Sequence, residues 1–136
     1  MMPFLDTNIF VRVLTGEPPQ QARACYDLLR RIERGDLIVW TTALVIAEVV
    51  FVLSSKRLYN VERSQIRDLL IPIIELPGIK LDDKRMYRRV FEVYTTTPMD
   101  YDDAYHVALM EQRGQTSVQS YDRHFDRVEG IERLKP

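Results

Sequence analysis

The chain contains a single cysteine, Cys25, which excludes an internal disulfide and a four-cysteine zinc site and fits a reducing compartment. Long hydrophobic runs are also missing. The longest uncharged apolar-rich stretch, residues 37–47, falls far short of the roughly 20 residues that a membrane-spanning helix needs. No basic n-region or apolar h-region opens the chain, because Met1-Met2-Pro3-Phe4-Leu5 runs straight into Asp6. Charge of one sign is absent as well. Nineteen Lys and Arg against twenty Asp and Glu leave a net charge of -1, which argues against retention on nucleic acid by bulk charge and says nothing of local patches. There is no repeat, low-complexity tract or linker. What is present is ordinary globular composition, 46% hydrophobic and 29% charged, over 136 residues. That length suits one domain, 1–136, with a core of its own. The expectation is a soluble, cytoplasmic, single-domain protein.

Short apolar runs alternate with longer helical patterns. Residues 3–5 read as a first strand leading into Asp6-Thr7-Asn8, and Gly16-Glu17-Pro18-Pro19 breaks the chain. Residues 20–34 carry Ala22, Cys25, Tyr26, Leu28, Leu29 and Ile32 at helical spacing, and Gly35-Asp36 ends them. Residues 37–40 are β-branched and aromatic enough for a buried strand, after which Thr41 and Thr42 can cap a helix over 43–55. Asn60 can cap a further helix that Pro72 should end or kink near Ile71. A short strand over 79–81 precedes a helix capped by Asp82 and running to about Tyr94. Pro98 and Asp100 open a helix over 102–113, closed by Gly114. A strand over 116–120 and a last edge strand over 131–134 complete the pattern. Strands alternating with helices imply an α/β fold with a mostly parallel sheet, and a site beyond the carboxyl ends of its strands.

Those positions are rich in carboxylates. Asp6 follows the first strand, where it either caps the next helix or belongs to a site. Glu48 is surrounded by Ala43-Leu44-Val45-Ile46-Ala47 and Val49-Val50-Phe51-Val52-Leu53, so its helix reads as apolar all round and largely buried. A carboxylate there needs compensation, either by an arginine, by reaching water at the helix edge, or by acting as metal ligand or general base. Asp100, Asp102 and Asp103 crowd the start of the next-to-last helix, more acids than capping requires. Asp122 follows the strand over 116–120, with Asp126 one turn later. Converged in a doubly wound sheet, Asp6, Glu48, Asp103 and Asp122 cannot all stay ionised without a cation. Oxygen ligands favour Mg²⁺ or Mn²⁺ over zinc, and phosphate-ester hydrolysis by a metal-activated water is the chemistry such an ion suits.

Setting those four acids aside leaves sixteen acidic against nineteen basic residues, and fifteen of the nineteen are arginine, whose fork matches phosphate. Arg85, Arg88 and Arg89, with Arg30, Arg31 and Arg34, are candidate backbone contacts or else solvated helix faces. Tyr59, Tyr87, Tyr94, Tyr101 and Tyr105 suit either base stacking or packing at the core edge. His106 reads as structural, His124 lies in a polar turn, and Cys25 belongs to an apolar helical face.

Phe4-Leu5-Asp6-Thr7-Asn8, Ala47-Glu48-Val49-Val50, Asp102-Asp103-Ala104-Tyr105-His106-Val107-Ala108 and Ser120-Tyr121-Asp122-Arg123-His124-Phe125-Asp126 occur in this order. Together they resemble the PIN domain and, more narrowly, the VapC ribonuclease toxins of bacterial and archaeal type II toxin–antitoxin pairs. The closing Phe125-Asp126-Arg127-Val128 with Gly130-Ile131 is similar to that group too, so the resemblance covers essentially the whole chain. It implies a three-layer α/β/α sandwich with a central parallel sheet and a Mg²⁺- or Mn²⁺-dependent endoribonuclease. The four family acids fall on Asp6, Glu48, Asp103 and Asp122, with Asp6 and Asp103 most directly on the metal. Thr7 and Asn8 match the polar pair after the first acid, and Ser120 the hydroxyl residue before the fourth. A register shift would put Asp100 or Asp102 in the third place. The resemblance further implies a homodimer and a cognate antitoxin protein that covers the acidic cleft.

One rival enzyme and one phosphoacceptor domain fit poorly. A haloacid-dehalogenase-like phosphatase wants a second Asp where this chain has Asn8, and a phosphoacceptor receiver wants an acidic pair where only Asp6 stands. A free-standing PIN RNA-processing nuclease and a non-catalytic binding module are the alternatives that stay open.

Overall fold

The same residue types that start and stop elements in the sequence set their ends in the fold. The computed structural model describes residues 1–136, which divide into two compact units, Met1–Lys84 and Arg85–Pro136.

In the first unit, α1 (Thr7–Thr15) and α2 (Pro19–Glu33) follow the opening extended segment. Gly16 closes α1 at φ +73, a conformation that costs glycine no Cβ clash. Then come β1 (Val39–Trp40), α3 (Ala43–Ser54), α4 (Arg63–Ile74) and β2 (Ile79–Lys80). Phe4 bridges Trp40 in parallel, and β1 pairs with β2 in parallel, Val39 with Ile79 and Trp40 with Lys80. β1 is therefore the middle of three parallel segments, each joined to the next by a pair of helices. The crossover βαβ logic of the sequence holds here, although the strands are only two residues long. Their inner side chains, Leu5, Val39 and Ile79, are buried. Gly78 enters β2 with no room for a side chain: a Cβ would lie 2.9 Å from both Ile32 Cγ2 and the Ile32 carbonyl oxygen.

Thr42 caps α3 as expected, its hydroxyl accepting from Val45 N–H at 3.3 Å. The helix is not buried all round, however. Val45, Ile46, Val49, Val50 and Leu53 face α1 and α4, whereas Leu44 and Phe51 are 69% and 72% exposed and Glu48 is exposed between them. Uniform hydrophobicity conceals which side a helix packs, and here neighbours cover one side only. Two expected caps also differ. Asn60 adopts φ +49 in the loop, leaving Glu62 as the N-cap of α4, and α4 runs through Pro72 to Ile74. Asp82 precedes a 3₁₀ turn, Lys84–Met86, rather than capping a helix.

The second unit contains α5 (Tyr87–Thr96), α6 (Tyr101–Gln112), β3 (Ser117–Gln119), a 3₁₀ helix (Arg123–Arg127) and β4 (Glu132–Leu134). Strands β3 and β4 are parallel, Ser117 opposite Glu132 and Gln119 opposite Leu134. The fold class is α/β with parallel strands, but the sheet is small and occurs as two pairs, one per unit, rather than as one long ladder. The small-residue face of α6, Ala104, Val107 and Ala108, is buried, and α6 packs against α5. Aromatic contacts reinforce that pairing, with the Phe91 and Tyr101 rings 5.5 Å apart and those of Tyr94 and Tyr101 5.6 Å apart. Tyr87, Tyr94 and Tyr101 are thus core residues, which removes them as base-stacking candidates.

Candidate active site

The first unit supplies Asp6, Thr7 and Glu48. Residue Leu5 is held from both sides: its N–H donates to the Trp40 carbonyl at 2.8 Å, and its carbonyl accepts from the buried Thr41 hydroxyl at 2.9 Å. The chain leaves this ladder at Asp6, which takes the extended N-cap conformation of α1 (φ -86°, ψ 163°) yet makes no side-chain capping bond. Capping therefore does not explain this carboxylate, which is exposed. Thr7 is buried, and its hydroxyl donates to Glu48 Oε2 at 2.9 Å. That bond crosses from α1 to α3 and fixes the Glu48 carboxylate. Glu48 is exposed, so its carboxylate reaches water at the helix edge. Asn8 is exposed, and its backbone carbonyl accepts from Arg12 at 3.4 Å.

The second unit brings together Asp103, Asp122 and His124. Asp100 is the N-cap of α6 but makes no side-chain capping bond, and Asp102 is exposed in the first turn. Asp103, also in that turn, is half-buried. Burial raises its pKa above the usual carboxylate value, and the negative charge of Asp122 raises it further. Asp100 and Asp102 push in the same direction, while His106 opposes them. On the strand side, Ser120 is tied to β4 through its N–H to the Leu134 carbonyl at 3.0 Å. Its carbonyl accepts from Arg133 Nη1 at 3.1 Å. The Ser120 hydroxyl accepts from Asp122 N–H at 2.9 Å, and Asp122 Oδ1 accepts from His124 N–H at 2.9 Å. Two successive short-range turns therefore aim the Asp122 carboxylate and the His124 ring.

Ligand atoms of Asp103, Asp122 and His124 all lie within 4.8 Å of one another. The His124 Nδ1 atom is buried without a hydrogen bond, 3.4 Å from Asp122 Oδ1. Two carboxylates and an orphaned imidazole nitrogen fit a divalent cation, since all three offer lone pairs to the same small volume. Sequence reasoning gave His124 no role. The available signal was the Asp-x-His spacing directly after a strand. Asp126, which the sequence left open, is bound by Arg133 at 3.0 Å and held below the usual carboxylate range by it.

The arginine candidates divide. Arg89 donates to both oxygens of Glu111, at 2.7 and 2.9 Å, and also pairs with Glu92, which raises its pKa further; it braces α5 against α6 instead of facing a ligand. Arg34 pairs with Asp36 at 3.5 Å, and Arg30 lies over the Tyr26 ring at 5.9 Å. Arg31 and Arg85 are exposed on their helices.

No curated protein matches this chain. No helix is long and apolar enough to cross a membrane. Residues 4–131 match the PIN domain family, a span within which Asp6, Glu48, Asp103 and Asp122 fall. PIN domains are generally metal-dependent nucleases that act on RNA. The Asp6 carboxylate after the opening extended segment of the first unit and a cation-competent cluster in the second accord with that match over nearly the whole length, and the chain belongs to the PIN domain family.

Proposed function

We propose that this protein is a Mg²⁺- or Mn²⁺-dependent endoribonuclease and the VapC-like toxin of a toxin–antitoxin pair. The observation that carries the reading is the meeting of Asp103 and Asp122 with His124 within 4.8 Å, inside a chain matched to the PIN family. Asp6 and Asp103 would hold the ion, with Asp122 supporting it or a second one. When bound, such an ion supplies charge neutralisation at the phosphate and acidification of water.

The chain's own residues do the rest. Thr7 fixes the rotamer of Glu48 by donating to Oε2, so that carboxylate can orient a water or ligand without first losing freedom. Hydrolysis forms a bond from the water oxygen to phosphorus and breaks one bridging P–O bond, the bridging oxygen leaving with a proton. Glu48, whose carboxylate accepts from the Thr7 hydroxyl, is suited to steer the water and accept its proton. Ser120 keeps Asp122 in place through the Asp122 backbone N–H. One domain over residues 1–136, working in the cytoplasm, is part of the proposal.

A homodimer and an antitoxin partner are part of the same reading. Leu44 and Phe51 support a protein partner, since they form an exposed apolar face on α3 beside Glu48. Cleavage of RNA by the purified chain with Mn²⁺, Mg²⁺ or EDTA, beside Asp6→Asn, tests the activity. Metal-dependent cutting that vanishes in Asp6→Asn is expected. Absence of cutting together with absence of metal binding in calorimetry would overturn the reading in favour of a binding module. A small DNA-binding antitoxin gene directly upstream would separate the toxin from a free-standing RNA-processing nuclease.

A further inference from the structure

Resting on the metal-dependent reading above, we infer that His124 is a direct metal ligand, making the second-unit cluster a mixed nitrogen–oxygen donor set that prefers Mn²⁺ to Mg²⁺. Three observations carry this. A ring nitrogen of His124 lies within 4.8 Å of carboxylate oxygens of both Asp103 and Asp122, close enough for one ion to touch all three. Nδ1 is shielded from water and makes no hydrogen bond, although the nearest carboxylate oxygen, Asp122 Oδ1, is 3.4 Å away. A buried polar atom without a partner is uncommon, and the lone pair of a neutral imidazole nitrogen beside a carboxylate is satisfied by a cation that both bind.

The backbone that carries the ring is held as well. Asp122 Oδ1 accepts the His124 backbone N–H, and Ser120 Oγ accepts the Asp122 backbone N–H, so the turn after the strand sets the His124 backbone beside Asp122. The His124 side chain stays 43% exposed, leaving one side of the ring open to solvent. The other histidine, His106, lies on α6 in the turn after Asp103 and is exposed. Hard Mg²⁺ takes oxygen ligands and dehydrates reluctantly, whereas imidazole nitrogen suits first-row transition ions. A nitrogen in this position therefore changes which ion the site selects, beyond adding a ligand.

The test uses the full chain loaded with Mn²⁺ and pulsed electron paramagnetic resonance, which detects nitrogen bonded to the ion. Wild type and His106→Ala should both show ¹⁴N modulation, and His124→Ala should lose it. By titration, His124→Ala should weaken Mn²⁺ by at least about tenfold and Mg²⁺ by less than about twofold. Bound Mn²⁺ without ¹⁴N modulation in wild type, or modulation abolished by His106→Ala alone, would overturn the role of His124 and leave the nuclease reading standing. Equal loss of both ions in His124→Ala would overturn the selectivity. No Mn²⁺ binding by wild type would remove both the ligand assignment and the metal-dependent reading. The wild-type spectrum requires no variant, so a His124→Ala chain that failed to fold would not spare the inference.

Discussion

Replacing Asp103 by Asn should stabilise the metal-free protein. Ligand atoms of Asp103 and Asp122 lie within 4.8 Å, a separation at which two unit charges repel by about 0.9 kcal/mol in water and about 3.5 kcal/mol at an effective dielectric of about 20. The Asp122 side chain is 41% exposed, which places the pair nearer the aqueous end, at about 1–2 kcal/mol. Against this, Asp103 sits in the first turn of α6, where losing a negative charge costs about 0.5 kcal/mol through the helix dipole. The net gain is about 1 kcal/mol, or about 3–5 °C in Tm for a chain of this size. Its pH dependence follows from the raised pKa of Asp103. The folded wild type holds that proton more tightly than the unfolded chain. Proton binding therefore stabilises wild type below the unfolded value of about 3.9, and this contribution is lost as pH rises through the higher folded value. The advantage of the Asp103→Asn variant over wild type should be near zero at about pH 3 and complete at about pH 7. Thermal melts in EDTA across that range measure it. With Mn²⁺ in large excess over its Kd the order should invert, since an excess of about a hundredfold stabilises the binding form by about 2.7 kcal/mol. A variant less stable than wild type in EDTA at neutral pH, or one with an equal advantage at both ends of the range, would refute the repulsion.

Three other substitutions test how the site is held. Thr7→Val should lower RNA cleavage by about ten- to a hundredfold with metal affinity changed less than about twofold, because it releases Glu48 Oε2; kinetics beside a metal titration separate the two effects. Ser120→Ala removes the acceptor for Asp122 N–H and should weaken Mn²⁺ binding by about tenfold while lowering stability by about 1 kcal/mol, read by titration and urea melts. Gly78→Ala places a Cβ 2.9 Å from the Ile32 carbonyl oxygen and 3.2 Å from that of Leu37, so about 1–3 kcal/mol of stability should be lost in urea melts even though alanine suits most backbones.

Much of the architecture was legible because it is local. The periodicity of α2, the Thr42 cap of α3, the Gly114 stop after α6 and the order of short strands all depend on residues within a few positions of one another. The four acids drew notice for a related reason: Asp6, Asp103 and Asp122 are carboxylates just after strands or at a helix start, and Glu48 is a carboxylate amid an apolar helix. Asn60 and Asp82 were misread because capping types also favour left-handed turns and loops, and neighbouring chain decides which of these forms.

What tertiary contact alone decided is which side of each element meets protein. Spacing specified that α3 is a helix, but only its contacts with α1 and α4 put Val49 inside and left Glu48, Leu44 and Phe51 outside. Composition supplied fifteen arginines, and only the α5–α6 packing committed Arg89 to Glu111. His124 carried only a faint mark in the sequence, the Asp-x-His spacing after a strand, since a histidine in a polar turn is common. It became a ligand candidate when folding set its ring beside Asp122 and Asp103, the latter 21 positions earlier in the chain. Local sequence determines the conformations a segment can adopt, whereas proximity between distant side chains, and hence the electrostatics of the site, exists only once the chain has packed.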